Sequence, residues 1–96
     1  MVAARKKIQN DPKIKEDLEN RLKRIEGQIR GVSAMVTRDE YCDDILNQIS
    51  SVQAALNGVS KLLFAHHLRT CVADKIRKND ESIFLELDST LNKMVR

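Results

Sequence analysis

The stretch CDDILNQISSVQAALNGVSKLLFAHHLRTCV, residues 42–72, decides the fold. Its apolar residues Cys42, Ile45, Ile49, Val52, Leu56, Val59 and Leu63 recur at alternating intervals of three and four. That rhythm holds them on one side of an α-helix and is heptad-like, as in helices packed in a bundle or coiled coil. Ala54 and Ala55, near the middle, permit the close approach of another helix. Asn57-Gly58 is the one point at which this helix would turn back into a hairpin. The stripe crosses that point without losing phase, and a single glycine costs a helix only about 1 kcal/mol. The spacing therefore predicts one continuous helix that runs to about Arg77 and ends at Lys78-Asn79-Asp80.

Upstream, Asp11-Pro12 reads as an N-cap followed by proline at the first helical position. Ile14, Leu18, Leu22, Ile25, Ile29, Val32 and Met35/Val36 then recur at helical spacing over roughly six turns. Thr37-Arg38-Asp39 breaks the pattern, and Asp39 is expected to cap the long helix. Downstream, Asn79 or Asp80 is expected to cap a third helix carrying Ile83, Phe84, Leu87, Leu91 and Met94. Residues 1–10 lack periodicity and read as a flexible basic tail, leaving residues 11–96 as a single all-α domain.

The chain has 96 residues, and one domain of that size has a marginal core unless something doubles it. Two cysteines are too few for a disulfide scaffold. No leader sequence is apparent, and no apolar run approaches the length of a membrane span. The thiols are thus expected to be reduced, in a cytoplasmic protein. Charge is uneven. Residues 1–30 hold nine bases against five acids, while the remainder is close to neutral. A basic third points to a polyanion, most often nucleic acid, although a solvated helix face has the same composition. Three aromatic residues are too few for a base-stacking platform, which argues against single-strand binding. No paired carboxylates, phosphate loop or nucleophile with an oriented base appears, so an enzyme is not expected.

His67 and Cys71 lie four residues apart, one helical turn, and such a pair can hold one metal ion. Either feature also fits a plain structural helix, in which a cysteine such as Cys42 is a small core residue. If the three residues share a metal, geometry restricts how. Along a continuous helix Cys42 is about 37 Å from His67, whereas metal–ligand bonds are roughly 2.0–2.3 Å. Two antiparallel copies close the gap, and the midpoint between Cys42 and the His67/Cys71 pair falls near Ala55 and Leu56. Two thiolates and an imidazole suit Cu(I). Zn(II) would want a fourth ligand, and Ni(II) or Co(II) more nitrogen or oxygen donors.

The segments RLKRIEGQIRGVSAMV (21–36), YCDDILNQISSVQAALNGVSKLL (41–63) and HLRTCV (67–72) resemble the copper-sensing repressors of the CsoR type, within the CsoR/RcnR family. The resemblance runs from about residue 18 to the C-terminus. It implies a three-helix subunit, an antiparallel homodimer and a homotetramer built as a dimer of dimers. It also implies that the metal-free protein holds operator DNA and that Cu(I) releases it, derepressing copper-resistance genes. Cys42, His67 and Cys71 match the copper ligands of that family. Tyr41 and a third-helix carboxylate, Glu86 with Glu81 as the alternative, match the groups around the histidine. DNA contact is assigned chiefly to Arg21, Lys23, Arg24 and Arg30. The nickel/cobalt branch has histidine where Cys71 stands, and the persulfide branch lacks the histidine, so the copper branch fits best. A persulfide or redox sensor, a Ni(II)/Co(II) sensor and a copper buffer without DNA binding are the competing readings. Two departures stand out. Phe64-Ala65-His66 precedes His67 where an acidic residue is common, and Asn57 stands where some relatives are basic.

Overall fold

The computed structural model describes residues 11–95; the expected tail, residues 1–10, lies outside them. Four α-helices follow one another: α1 (Pro12–Thr37), α2 (Cys42–His67), α3 (Ala73–Arg77) and α4 (Ser82–Met94), with a π-helical segment, Leu68–Val72, between α2 and α3. The backbone is right-handed helical at His67, Leu68, Val72 and Ala73. Hence α2, the π segment and α3 form one unbroken rod. At 1.5 Å per residue it is about 54 Å long, which sets the longest dimension of the molecule, 55 Å. The subunit is thus a bundle of three rods, and Asn57-Gly58 introduces no break.

Asp11 caps α1 as its sequence suggests: its Oδ1 accepts from the Ile14 N–H at 3.3 Å, with Pro12 following. The expectation for Asp39 is corrected. Asp39 has φ 57° and terminates α1 instead of starting α2. Its N–H donates to the Val36 carbonyl and that of Glu40 to Met35, both at 3.1 Å. These are the two bonds of a Schellman motif. Asn79, also at φ 57°, ends the long rod in the same way, through Asn79 to Ile76 and Asp80 to Lys75. Tyr41 occupies the N-cap of α2, and its side chain caps nothing.

Asp80 holds the start of α4. Its Oδ1 accepts from the Ser82 N–H at 3.1 Å and the Ser82 hydroxyl at 2.6 Å. The Ser82 hydroxyl and then its N–H favour the carboxylate, with Lys75 adding to them, and lower the Asp80 pKa below 3.8. A depressed carboxylate pKa stabilises the fold above the unfolded value, and that stabilisation is lost as pH falls through the folded value. Ser82→Ala should therefore lower the melting temperature at neutral pH and flatten its fall below pH 3.8. Circular-dichroism melts at stepped acid pH would show this, and parallel curves for the two proteins would refute it.

α1 packs along α2 as a helical hairpin. Among the described residues, full burial is confined to Leu18 and Ile25 of α1, Val72 of the π segment and Ile83 of α4. No residue of α2 is buried. The single heptad seam expected on α2 is split: Ile45, Val52 and Val59 are half-buried, while Cys42, Ile49, Leu56 and Leu63 are exposed. On α4, Phe84 and Leu91 are likewise exposed, whereas Ile83 is buried. The radius of gyration is 17.5 Å, against about 13 Å for a compact chain near 100 residues. A rod with one apolar side in solvent needs a second surface to cover it.

Candidate metal centre and basic surface

His67 ends α2, and Cys71 lies one turn on, inside the π segment. π turns widen the helix by one residue and concentrate at functional sites; nothing in LRTCV announces this one. Inside it, the Thr70 hydroxyl donates to the His66 carbonyl at 2.8 Å and lies 3.8 Å from the Cys71 Sγ. Cys71 is half-buried and Cys42 exposed, and both are free thiols.

The two neighbouring histidines reach in different directions. His67 Nε2 lies 3.6 Å from Glu86 Oε2 on α4, and His66 Nδ1 lies 3.8 Å from Asp11 Oδ2 at the start of α1. The His66 side chain is only 12% exposed. Glu81 stands at the N-cap of α4 and is exposed. A metal-bound histidine usually turns its second nitrogen to a carboxylate, which fixes the ring. With Glu86 at Nε2, the His67 nitrogen left for a metal is Nδ1.

One chain does not assemble the three candidate ligands. Among the described residues no group of three metal-capable side chains comes together. Cys42 begins α2 and His67 ends it, a rise of about 37 Å. Tyr41, 74% exposed, sits at the same far end. At 100° per residue, however, Cys42 and His67 differ by only about 20° around the helix. They therefore lie on one face, the face whose Ile49, Leu56 and Leu63 are uncovered. The donor types suit a soft ion, and a second copy of this face would bring the far donors together.

Arg21, Lys23, Arg24 and Arg30 are all exposed on α1. Arg21 pairs with Asp17 at 2.9 Å and Arg30 with Glu26 at 3.4 Å. Such exposed pairs are worth little and are easily exchanged for a phosphate. The four bases do not form one stripe. Lys23 and Arg30, seven apart, share a face, while Arg21 and Arg24 lie on another, where the Arg21 guanidinium reaches toward Gly58 of α2. No described helix is long and apolar enough to cross a membrane.

A family profile described as metal-sensitive transcriptional repressor matches residues 14–95. The chain is 48% identical over 85 residues to the copper-sensing transcriptional repressor CsoR of Bacillus subtilis (strain 168), covering 88% of this chain and 84% of that one. It is 35% identical over 85 residues to the copper-sensing transcriptional repressor RicR of Mycobacterium tuberculosis, covering 85% and 88%. Among solved structures, the Cu(I) form of CsoR from Geobacillus thermodenitrificans NG80-2 aligns with TM-score 0.79 at 41% identity, over 99% of this chain and 95% of that one. The nickel-responsive regulator InrS aligns with TM-score 0.73 at 32% identity, over 99% and 100%.

Proposed function

We propose, from the premise that this chain belongs to the family of metal-sensitive transcriptional repressors, a mechanism for a copper-sensing repressor whose metal sites lie between subunits. It is a DNA-binding regulator and not an enzyme. The metal-free protein holds double-stranded operator DNA, and Cu(I) lowers that affinity so that copper-resistance genes are transcribed. The chain works in the cytoplasm, where its thiols stay reduced.

One observation carries the reading. Cys42 and His67 share an uncovered face of α2 but sit at its opposite ends. Two copies set antiparallel on that face place Cys42 of one against His67 and Cys71 of the other, and the two-fold generates two equivalent sites. The dimers pair further into a homotetramer, for which the exposed Phe84, Leu85 and Leu91 of α4 supply apolar surface.

Cys42 and Cys71 would hold the ion as thiolates, with His67 Nδ1 as the third donor. Cu(I) supplies a soft cation that ties the two long rods together through these donors. His67 keeps Glu86 at its other nitrogen and so connects α2 to α4; Tyr41, beside Cys42, flanks the same shared site. Arg21, Lys23, Arg24 and Arg30 meet phosphates, on two faces of α1 whose spacing depends on how the rods are set. An arrangement that fixes the rods in one setting thus changes the fit of both faces to a duplex. Binding of DNA and of metal are then negatively coupled, by an amount typically on the order of 5- to 150-fold.

The test is a parallel titration of the reduced protein, bound to a duplex carrying its own promoter region, with Cu(I), Ni(II) and Zn(II). Release within that range by Cu(I) alone is expected. A duplex held equally well with and without Cu(I) would refute the reading.

A further inference from the structure

The uncovered side of α2 carries two parallel heptad rows. One is Cys42, Ile49, Leu56 and Leu63; the other, four residues on in each heptad, is Leu46, Gln53, Ser60 and His67. Two polar side chains, Gln53 and Ser60, therefore stand in the middle of an otherwise apolar seam. Both are exposed, and among the described residues neither makes a side-chain hydrogen bond within the chain. If a second copy covers them with aliphatic groups, each is left buried and unsatisfied, which is costly.

Their positions avoid that in one register. With the two-fold at Leu56, the first row places Leu56 against itself and Ile49 against Leu63, and it brings Cys42 opposite Thr70 and Cys71. In the same register the second row comes within one residue, about 1.5 Å of rise, of setting Leu46 against His67 and Gln53 against Ser60, an offset that side chains span. We propose that Gln53 and Ser60 pair by hydrogen bonds with Ser60 and Gln53 of a second copy, and that these two symmetric pairs fix the register that brings the metal donors together. The proposal rests on the shared-site reading above and goes beyond it by naming the residues that align the seam.

The apolar rows cannot do this alone. A slip of one heptad in one direction sets Leu56 against Ile49, still apolar, but moves Cys42 about 10 Å from its partners. That slip sets Ser60 against Leu46 and leaves Gln53 facing Gln53. The opposite slip sets Ile49 against Thr70 and carries Cys42 past the site. A polar residue in an apolar heptad seam is a known means of specifying register at some expense in stability.

Reduced full-length protein oxidised with diamide reports the register. Two thiols lose two electrons and two protons to the diamide, and an interchain Cys42–Cys71 disulfide forms where the thiols meet. Non-reducing gels with peptide mapping measure its yield. The variant Gln53→Leu/Ser60→Leu makes the layers of the first slip apolar, so the Cys42–Cys71 yield should fall at least about tenfold, the weight of an unsatisfied buried polar group there, while the melting temperature does not fall. The exchange variant Gln53→Ser/Ser60→Gln restores the same pair across the seam and should crosslink as the wild type does. Wild-type crosslinking in the double leucine variant, or a loss in the exchange variant as large as that expected of the leucine variant, would overturn the proposal. Absence of a Cys42–Cys71 link in the wild type itself would refute the shared site, and the register device with it.

Discussion

Replacing Cys71 with serine is expected to abolish the release of DNA by Cu(I) while leaving DNA binding by the metal-free protein within about twofold, since surface-neutral changes rarely exceed 0.5 kcal/mol. The substitution keeps the shape of the side chain and exchanges a soft, ionisable sulfur for a hard hydroxyl that stays protonated near neutral pH. Loss of a carboxylate behind a metal-bound histidine already costs roughly 10- to 100-fold in metal affinity. Removing a direct thiolate donor should exceed that, on the order of a hundredfold or more. The apo protein has little reason to respond. Cys71 is half-buried and outside the set of fully buried residues, and the exposed bases proposed to meet DNA lie on α1. Fluorescence anisotropy of a labelled duplex, with a competing Cu(I) chelator to set the free metal, separates the two quantities. Undiminished release from Cys71→Ser at the same free Cu(I) would remove Cys71 from the site.

The parts of this molecule legible in its sequence are those governed by one-dimensional periodicity. Asp11-Pro12 marks a helix start because both residues act locally, one through its carboxylate on Ile14 and one through its fixed φ. Gly58 leaves the long rod intact because a phase-preserving apolar stripe outweighs one weak helix former. Asp39 misled for an equally local reason. An aspartate in a four-residue link can cap the next helix or adopt the left-handed conformation that ends the previous one, and only the Schellman bonds to Val36 and Met35 distinguish the two. The π segment was illegible because it rests on one widened turn with no compositional signal.

The split of the α2 stripe illustrates a further limit. Periodicity places Cys42, Ile45, Ile49 and Val52 on one side of the helix, but does not show that they face different partners. The structure turns Ile45, Val52 and Val59 to half-burial and leaves Cys42, Ile49, Leu56 and Leu63 uncovered. The His67–Glu86 approach at 3.6 Å likewise depends on the turn at residues 78–81, which decides which turn of α4 comes back over the end of α2. Sequence could favour Glu86 by resemblance, and geometry is what sets it beside the ring and leaves Glu81 exposed.

Leu56→Glu should have the broadest effect of any single change, because Leu56 lies where the proposed two-fold crosses the seam. It is 42% exposed in the single chain, so the substitution creates no cavity in the subunit. Across the two-fold, however, each glutamate faces its own copy. Two like charges would then be withdrawn from water without a counterion, and each buried unpaired ion costs several kcal/mol. Dimer affinity should fall by at least about a thousandfold, since 1.4 kcal/mol corresponds to tenfold. Among the described residues, 11–95, the subunit left behind has four buried residues in its core, Leu18, Ile25, Val72 and Ile83, which is little for a domain of that size. Association through the proposed two-fold would therefore supply much of the stability. The wild-type melting temperature should rise with protein concentration, whereas that of Leu56→Glu should be lower and independent of it. The intersubunit Cu(I) site and DNA binding should be lost with the dimer. Sedimentation velocity and concentration-dependent melts test the point directly. A Leu56→Glu protein that sediments as the wild type does and still releases DNA with Cu(I) would place the contact between subunits on another face of α2.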